Sequence, residues 1–276
     1  MIREFRITDY ILRVADDALA RLLLGFEYET DCKSASDASA REPICTIYPS
    51  SGVTLHGVES MTPDHPVSHV LGLTRDMTAV VMADDLFERI TVRAFGPDGS
   101  REAMLLGFYS RLAYFRTLFM HGALIDVPGY GGIMFIGRSG VGKTTQAVLW
   151  NKHRGADIVN GDKVFLGLRD ECPGELLAYG SPWTGSSPYC LNRRVPLRAI
   201  IHLTRSDEKG IRLMSELEGL SVFMTATFLP NWDIRLTERV MDSVNDVLPM
   251  VPIYEMSCEP DETAVSMVEK VLLGGR

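Results

Sequence analysis

Positive charge is in deficit. The 276 residues carry 28 lysines and arginines against 36 aspartates and glutamates, a net charge of −8. Nucleic-acid binding ordinarily needs a basic face, so no nucleic-acid partner is expected, although a local basic pocket for phosphates stays compatible with this balance. Cysteine is sparse: Cys32, Cys45, Cys172, Cys190 and Cys258 are odd in number, scattered, and form no Cys-x-x-Cys pair. Disulfides and zinc are therefore not expected, and free thiols in a reducing cytoplasm are. Long apolar runs are missing too. The stretch 104–119 is interrupted by Arg111 and Arg116 and falls short of the roughly 20 apolar residues a membrane span needs. The first residues, Met1-Ile2-Arg3-Glu4-Phe5-Arg6, lead into no apolar segment of the kind a secretory signal carries. These absences predict a cytoplasmic location without membrane attachment. What is present, 46% apolar and 23% charged residues, is ordinary globular composition. The length allows one large domain or two modest ones.

The organisation changes along the chain. The first hundred residues read as short strands and turns. Cys45–Tyr48, Pro49–Gly52 and Val53–His56 resemble a hairpin, 79–82 and 90–94 read as strands, and the small polar run 34–40 reads as a loop. Between 101 and 120 the apolar residues Leu105, Phe108, Leu112, Phe115 and Phe119 recur at helical spacing and predict a helix. A domain boundary is placed near it, giving a smaller mixed or β-rich domain over 1–115 and a second domain over 116–276. In the second part strands alternate with helices: strands at 132–136, 158–159, 164–166, 197–203 and 252–256, and helices at 143–152, 216–228, 236–248 and 262–273. This alternation predicts an α/β domain, so the whole chain is expected to be α+β.

One motif dominates. Gly137-Arg138-Ser139-Gly140-Val141-Gly142-Lys143-Thr144 matches G-x-x-x-x-G-K-[ST] in full. The glycines allow backbone angles that turn successive N–H groups towards phosphate oxygens. The helix that follows presents its positive end to the same anion. Lys143 neutralises the outer phosphates, and the Thr144 hydroxyl is a magnesium ligand. An apolar strand before the motif and a helical segment after it give the context this mechanism requires.

Downstream, Asn160-Gly161-Asp162 lies between two apolar runs, with Asp162 only 19 positions after Lys143. As local chemistry this is a good turn. Next to a phosphate-binding loop, the carboxylate is a candidate metal or catalytic group. Weaker candidates are Asp126, the pair Arg193 and Arg194 as cationic stabilisers, and the punctuated loop Gly180–Gly185 with Trp183.

Together, Phe119-Met120-His121-Gly122-Ala123-Leu124-Ile125-Asp126, the strand 132–136, the P-loop and Asn160-Gly161-Asp162-Lys163-Val164 resemble the HPr kinase/phosphorylase group. Gly180–Gly185 and Val195–Ile200 resemble its HPr kinase-like members. The resemblance runs from about Phe119 to the C-terminus. It implies a phosphoenolpyruvate carboxykinase-like nucleotide-binding domain that uses ATP and Mg2+. Gly137, Arg138, Ser139, Gly140, Val141, Gly142, Lys143, Thr144 and Thr145 would hold the triphosphate. Thr144 and Asp162 would hold the metal. His121, Asp162 and Lys143 would be the catalytic groups. The family's Asp-Asp pair is Gly161-Asp162 here, so one carboxylate is missing.

The expected activity is transfer of the γ-phosphate of ATP to a serine-type hydroxyl on a peptide, protein or small molecule. The alternatives are a carboxykinase-type enzyme on the same fold and a nucleotide-binding regulatory protein without transfer. The sequence leaves the acceptor open, and equally whether the protein forms a homo-oligomer.

Overall fold

The computed structural model describes residues 2–27, 42–49, 67–73, 79–94 and 96–274. The chain forms two compact units, Met1–Phe115 and Arg116–Arg276. It is a mixed α/β protein with one sheet in each unit. Among the described residues no helix is long and apolar enough to cross a membrane.

The first unit contains β1 (Arg3–Ile7), β2 (Tyr10–Val14), the single turn α1 (Asp17–Ala20), β3 (Cys45–Pro49), β4 (His69–Leu73), β5 (Ala79–Ala83), β6 (Arg89–Ala94) and α2 (Pro97–Leu112). The strands lie in the order β1-β2-β3-β6-β5-β4. β3 pairs parallel with β2 through Cys45–Ile47 and with β6 through Thr46–Pro49. It is thus a central strand with both edges used, where the sequence suggested one arm of a hairpin. The second arm, Val53–His56, and the loop 34–40 lie outside the described residues. Helix α2 starts with Pro97 in its first turn, where the missing N–H costs nothing. It packs on β5 and β6. Gly107 permits the close approach, since a Cβ there would come within 2.7 Å of Ile90 Cγ2.

The expected helix over 101–120 is corrected at its end. It stops at Leu112, and after a short 3-10 turn Arg116 takes a left-handed φ of 49°. Thr117–His121 is a strand. Phe119 continued the helical spacing by coincidence; its ring stacks on Phe228 at 4.2 Å from a sheet position.

The second unit contains β7 (Thr117–His121), β8 (Ala123–Val127), β9 (Gly131–Ile136), α3 (Lys143–Arg154), β10 (Asp157–Asn160), β11 (Lys163–Leu168), β12 (Leu176–Tyr179), β13 (Arg194–Leu203), β14 (Gly210–Leu213), α4 (Glu216–Ala226), α5 (Ile234–Val247), β15 (Ile253–Ser257) and α6 (Glu262–Leu272). The main path is β10-β8-β9-β13-β12-β11-β7. The long β13 is shared. Its start pairs antiparallel with β12, and its second half lies between parallel β9 and β15. Helix α3 buries Ala147 and Trp150 in a core with Ile125, Ile133, Phe135, Ile158 and Ile201, joined by Val265 and Val268 of α6.

Two abrupt crossings position the site. β7 pairs with β11, whereas β8, one residue later, pairs with β9 and β10. In the same way β10 pairs with β8, and β11, two residues later, pairs with β12 and β7. Asn160-Gly161-Asp162 is therefore a crossing between different neighbours, and β10 and β11 do not form the hairpin its local chemistry suggested. The crossings lie side by side: Gly122 N–H donates to Asp162 O at 2.9 Å, and His121 is the register partner of Lys163. Gly122 is needed there, because a Cβ would lie 2.5 Å from Met134 Cε and 2.8 Å from Phe135 O.

Candidate active site

The P-loop leaves the carboxyl end of β9 and runs into α3. Gly137, Gly140 and Gly142 have φ of 136°, 73° and 112°, angles that side chains with a Cβ seldom adopt. Gly137 also lies against β13, with room for no Cβ because Leu203 O would be 2.7 Å away. The Lys143 side chain is buried and curls back on the loop, donating from Nζ to Gly137 O (3.0 Å) and Arg138 O (3.2 Å). Burial lowers its pKa, and the Asp162 carboxylate opposes that shift. A buried cation resting on two weak carbonyl partners is a good acceptor site for an anion.

Opposite the loop, His121 ends β7 and Asp162 precedes β11. His121 Nδ1 lies 3.2 Å from Asp162 Oδ1. Desolvation and the positive charge of Lys143 lower the His121 pKa, while Asp162 raises it; the net direction is down. The imidazole is therefore neutral at neutral pH. With Nδ1 facing the Asp162 carboxylate, the neutral tautomer protonated at Nδ1 leaves Nε2 as an acceptor. Lys163 Nζ sits 3.9 Å from the other Asp162 oxygen. Thr144 Oγ1 donates to Gly161 O at 3.3 Å, which ties the P-loop helix to the second crossing. The structure thus brings Lys143, Thr144, His121 and Asp162 into one cluster.

The weaker candidates separate. Asp126 joins Arg193, at 3.3 Å, and the same guanidinium holds Asp157 at 2.5 Å. This ion-pair group involves β8 and β10 and includes neither His121 nor Asp162. Arg194 begins β13 and is exposed. The loop 180–185 splits in two. Ser181, Pro182 and Trp183 are buried packing, whereas a Cβ on Gly185, at φ 58°, would lie 2.9 Å from Asp162 Cγ.

Sequence reasoning gave no separate role to Asn160, Ser187 or Gln146. Asn160 is wholly buried. Its Oδ1 accepts from Asp162 N and Lys163 N, both at 2.8 Å, and its Nδ2 donates to Ser181 O at 2.9 Å. Ser181 Oγ in turn donates to Lys163 O at 2.7 Å. Asn160 thereby fixes both the crossing and the following loop. Its signal was visible in Asn-Gly-Asp and was read only as turn chemistry. Ser187, discussed below, gave no signal. Gln146 lines a cleft of about 590 Å3 beside the P-loop, bordered also by Gly142, Thr145, Thr204, Lys209 and Cys258. The cleft lies at the carboxyl ends of the parallel strands β9, β13 and β15, the usual ligand position in such sheets.

Gly161 has no positive φ, so its special role is not a strained turn. A Cβ there would fall on the Ser187 hydroxyl and 2.5 Å from Ser187 Cβ. The space of the absent side chain is filled.

No family model matches the chain, and no curated protein matches its sequence. Among solved structures, the Hpr(Ser) kinase/phosphatase from Coxiella burnetii is similar over 57% of this chain and 97% of its own, with 12% identity and a TM-score of 0.34. A likeness of that extent assigns neither chemistry nor substrate to this chain.

Proposed function

We propose that the protein is an ATP- and Mg2+-dependent phosphotransferase of the HPr kinase-like type, with a phosphoenolpyruvate carboxykinase-like catalytic domain over 116–276. The observation that supports this best is the meeting of two motifs: the P-loop with Lys143 and Thr144, and the His121–Asp162 pair joined to it through Thr144 Oγ1 and Gly161 O. In this reading the amides of Gly137–Thr145 and the Lys143 ammonium hold the triphosphate, and the adjoining cleft takes the nucleoside. Thr144 and Asp162 hold magnesium. One hydroxyl and one carboxylate suit an ion that keeps phosphates and water as its other ligands. No group of three or more acidic, histidine or cysteine side chains gathers among the described residues, so a denser all-protein cage has no support. When bound, the ion supplies charge neutralisation at the phosphoryl oxygens. His121, oriented by Asp162, accepts a hydrogen bond from a serine-type acceptor hydroxyl and lines it up with the γ-phosphate. Positioning of this kind is typically worth about 10²–10⁴ in rate.

Calorimetry with Mg2+ and ATP tests the reading. The wild-type protein is expected to bind, and Lys143→Ala to bind about 10–100-fold more weakly, since a charged hydrogen-bond donor is worth about 1.5–3 kcal/mol. Equal affinity in the two proteins overturns the P-loop assignment.

A further inference from the structure

The side chain that Gly161 lacks is replaced, in space, by a hydroxyl from the loop between β12 and β13. We propose that Ser187 is itself a phosphoryl acceptor, so that the protein phosphorylates its own site loop. The inference rests on the nucleotide reading above and names the acceptor for it.

Three observations carry it. First, the position: a Cβ built on Gly161 falls on Ser187 Oγ, so this hydroxyl lies against the Cα of the residue before Asp162. The carbonyl of that residue is the one to which Thr144 donates. Second, the loop is held in place. Ser187 N donates to Thr184 O at 2.9 Å, and Leu191 N donates to Val159 O at 2.9 Å. Gly185, two residues before, touches the Asp162 carboxylate. Third, the hydroxyl is ready to donate. Ser187 Oγ accepts from Tyr189 N at 3.3 Å and donates to no partner among the described residues. Ser187 is half-buried, so its hydroxyl is reachable beside Gly161 without local unfolding. The Lys143 and Lys163 ammonium groups flank the Asp162 side of this cluster, and cations there favour a phosphorylated product. Thr184 and Ser186, the neighbouring hydroxyls of the loop, are not among the atoms nearest to Gly161.

In the step, Ser187 Oγ forms a bond to the γ-phosphorus of ATP. The bond from that phosphorus to the β–γ bridging oxygen breaks, and ADP leaves with the electron pair. The hydroxyl proton passes to His121 Nε2, the acceptor that the proposed function assigns to it. The products are phosphoserine and ADP, and no further reactant is needed.

The full chain is incubated with Mg2+ and γ-labelled ATP, and labelled peptides are mapped by mass spectrometry. The expected result is one phosphoryl group per chain, at Ser187, at a rate per chain independent of protein concentration. Ser187→Ala is expected to lose the label and keep its affinity for Mg2+ and ATP by calorimetry, while Thr184→Ala and Ser186→Ala label like wild type. As a readout independent of turnover, Ser187→Asp is expected to bind Mg2+ and ATP more weakly than Ser187→Ala, because its carboxylate sits where the transferred group ends. ATP binding without label at Ser187, unchanged labelling of Ser187→Ala, or equal affinity of the Asp and Ala variants overturns this inference and leaves the nucleotide reading standing. Absence of ATP binding in the wild-type protein overturns the nucleotide reading itself.

Discussion

Asn160 and Gly161 show how much one residue decides in this site. Asn160, itself wholly buried, satisfies two half-buried backbone N–H groups of the crossing and reaches Ser181. Asn160→Ala leaves those groups unpaired and half-buried, at a cost of about 1–3 kcal/mol. Urea unfolding is expected to show that loss, and hydrogen exchange to show faster opening at Asp162 and Lys163 than in the rest of the sheet. Gly161→Asp would restore the pair of carboxylates of the resembled family, but the space is taken by Ser187. The variant is expected to melt lower than wild type, by an overpacking cost of about 1–3 kcal/mol, with no gain in ATP turnover per folded molecule. A faster enzyme of equal stability would show that Ser187 yields freely and that a carboxylate was all the site lacked. The P-loop was legible in the sequence because its chemistry needs contiguous residues at fixed spacing. His121 and Asp162 were legible through a resemblance. Ser187 was not, because its place depends on where a loop 26 residues further along returns.

At the scale of elements, the strands and helices predicted for the second unit coincide closely with observed ones, from 132–136 within β9 to 262–273 over α6, whereas β8, β12 and β14 had no counterpart in the sequence reading. The failures came where a pattern crossed a boundary. The helical spacing through Phe115 and Phe119 ran on into β7, and Asn-Gly-Asp resembled a hairpin turn between strands that pair elsewhere. Pairing of that kind is decided by distant segments, which periodicity does not see. The entry to α4 is built more locally. Ser215 and Glu218 form a reciprocal capping box, and Arg212 of β14 donates to Glu218 Oε1 at 2.8 Å. The guanidinium first, and the Ser215 N–H and hydroxyl after it, hold the Glu218 carboxyl down at about 2. A carboxyl lowered on folding stabilises the folded state above its ordinary range, and that contribution disappears as pH falls through the folded value. Glu218→Gln is therefore expected to melt below wild type at pH 6, with the gap closing between about pH 4.5 and 2. A gap that stays constant over that range would assign the box to hydrogen bonding without charge. The pair is exposed, so the gap is expected to shrink in high salt as well.

At the scale of the whole molecule, every residue assigned here to phosphate, metal or acceptor lies in the second unit. A chain consisting of 116–276 has its own sheet, helices and core. It is expected to fold cooperatively and to bind Mg2+ and ATP with the affinity of the full protein, as circular dichroism and calorimetry can check. Loss of binding in a folded fragment would give the first unit a part in the nucleotide site. Within the second unit, Trp183 is buried in the loop that leads to Asp162, edge-on to Phe165 with ring centroids 6.2 Å apart. Two residues further on, Gly185 touches Asp162. An indole in that place makes the chain's own emission colour and lifetime a gauge of the loop's position, once the light from Trp150 and Trp232 is subtracted by substituting them.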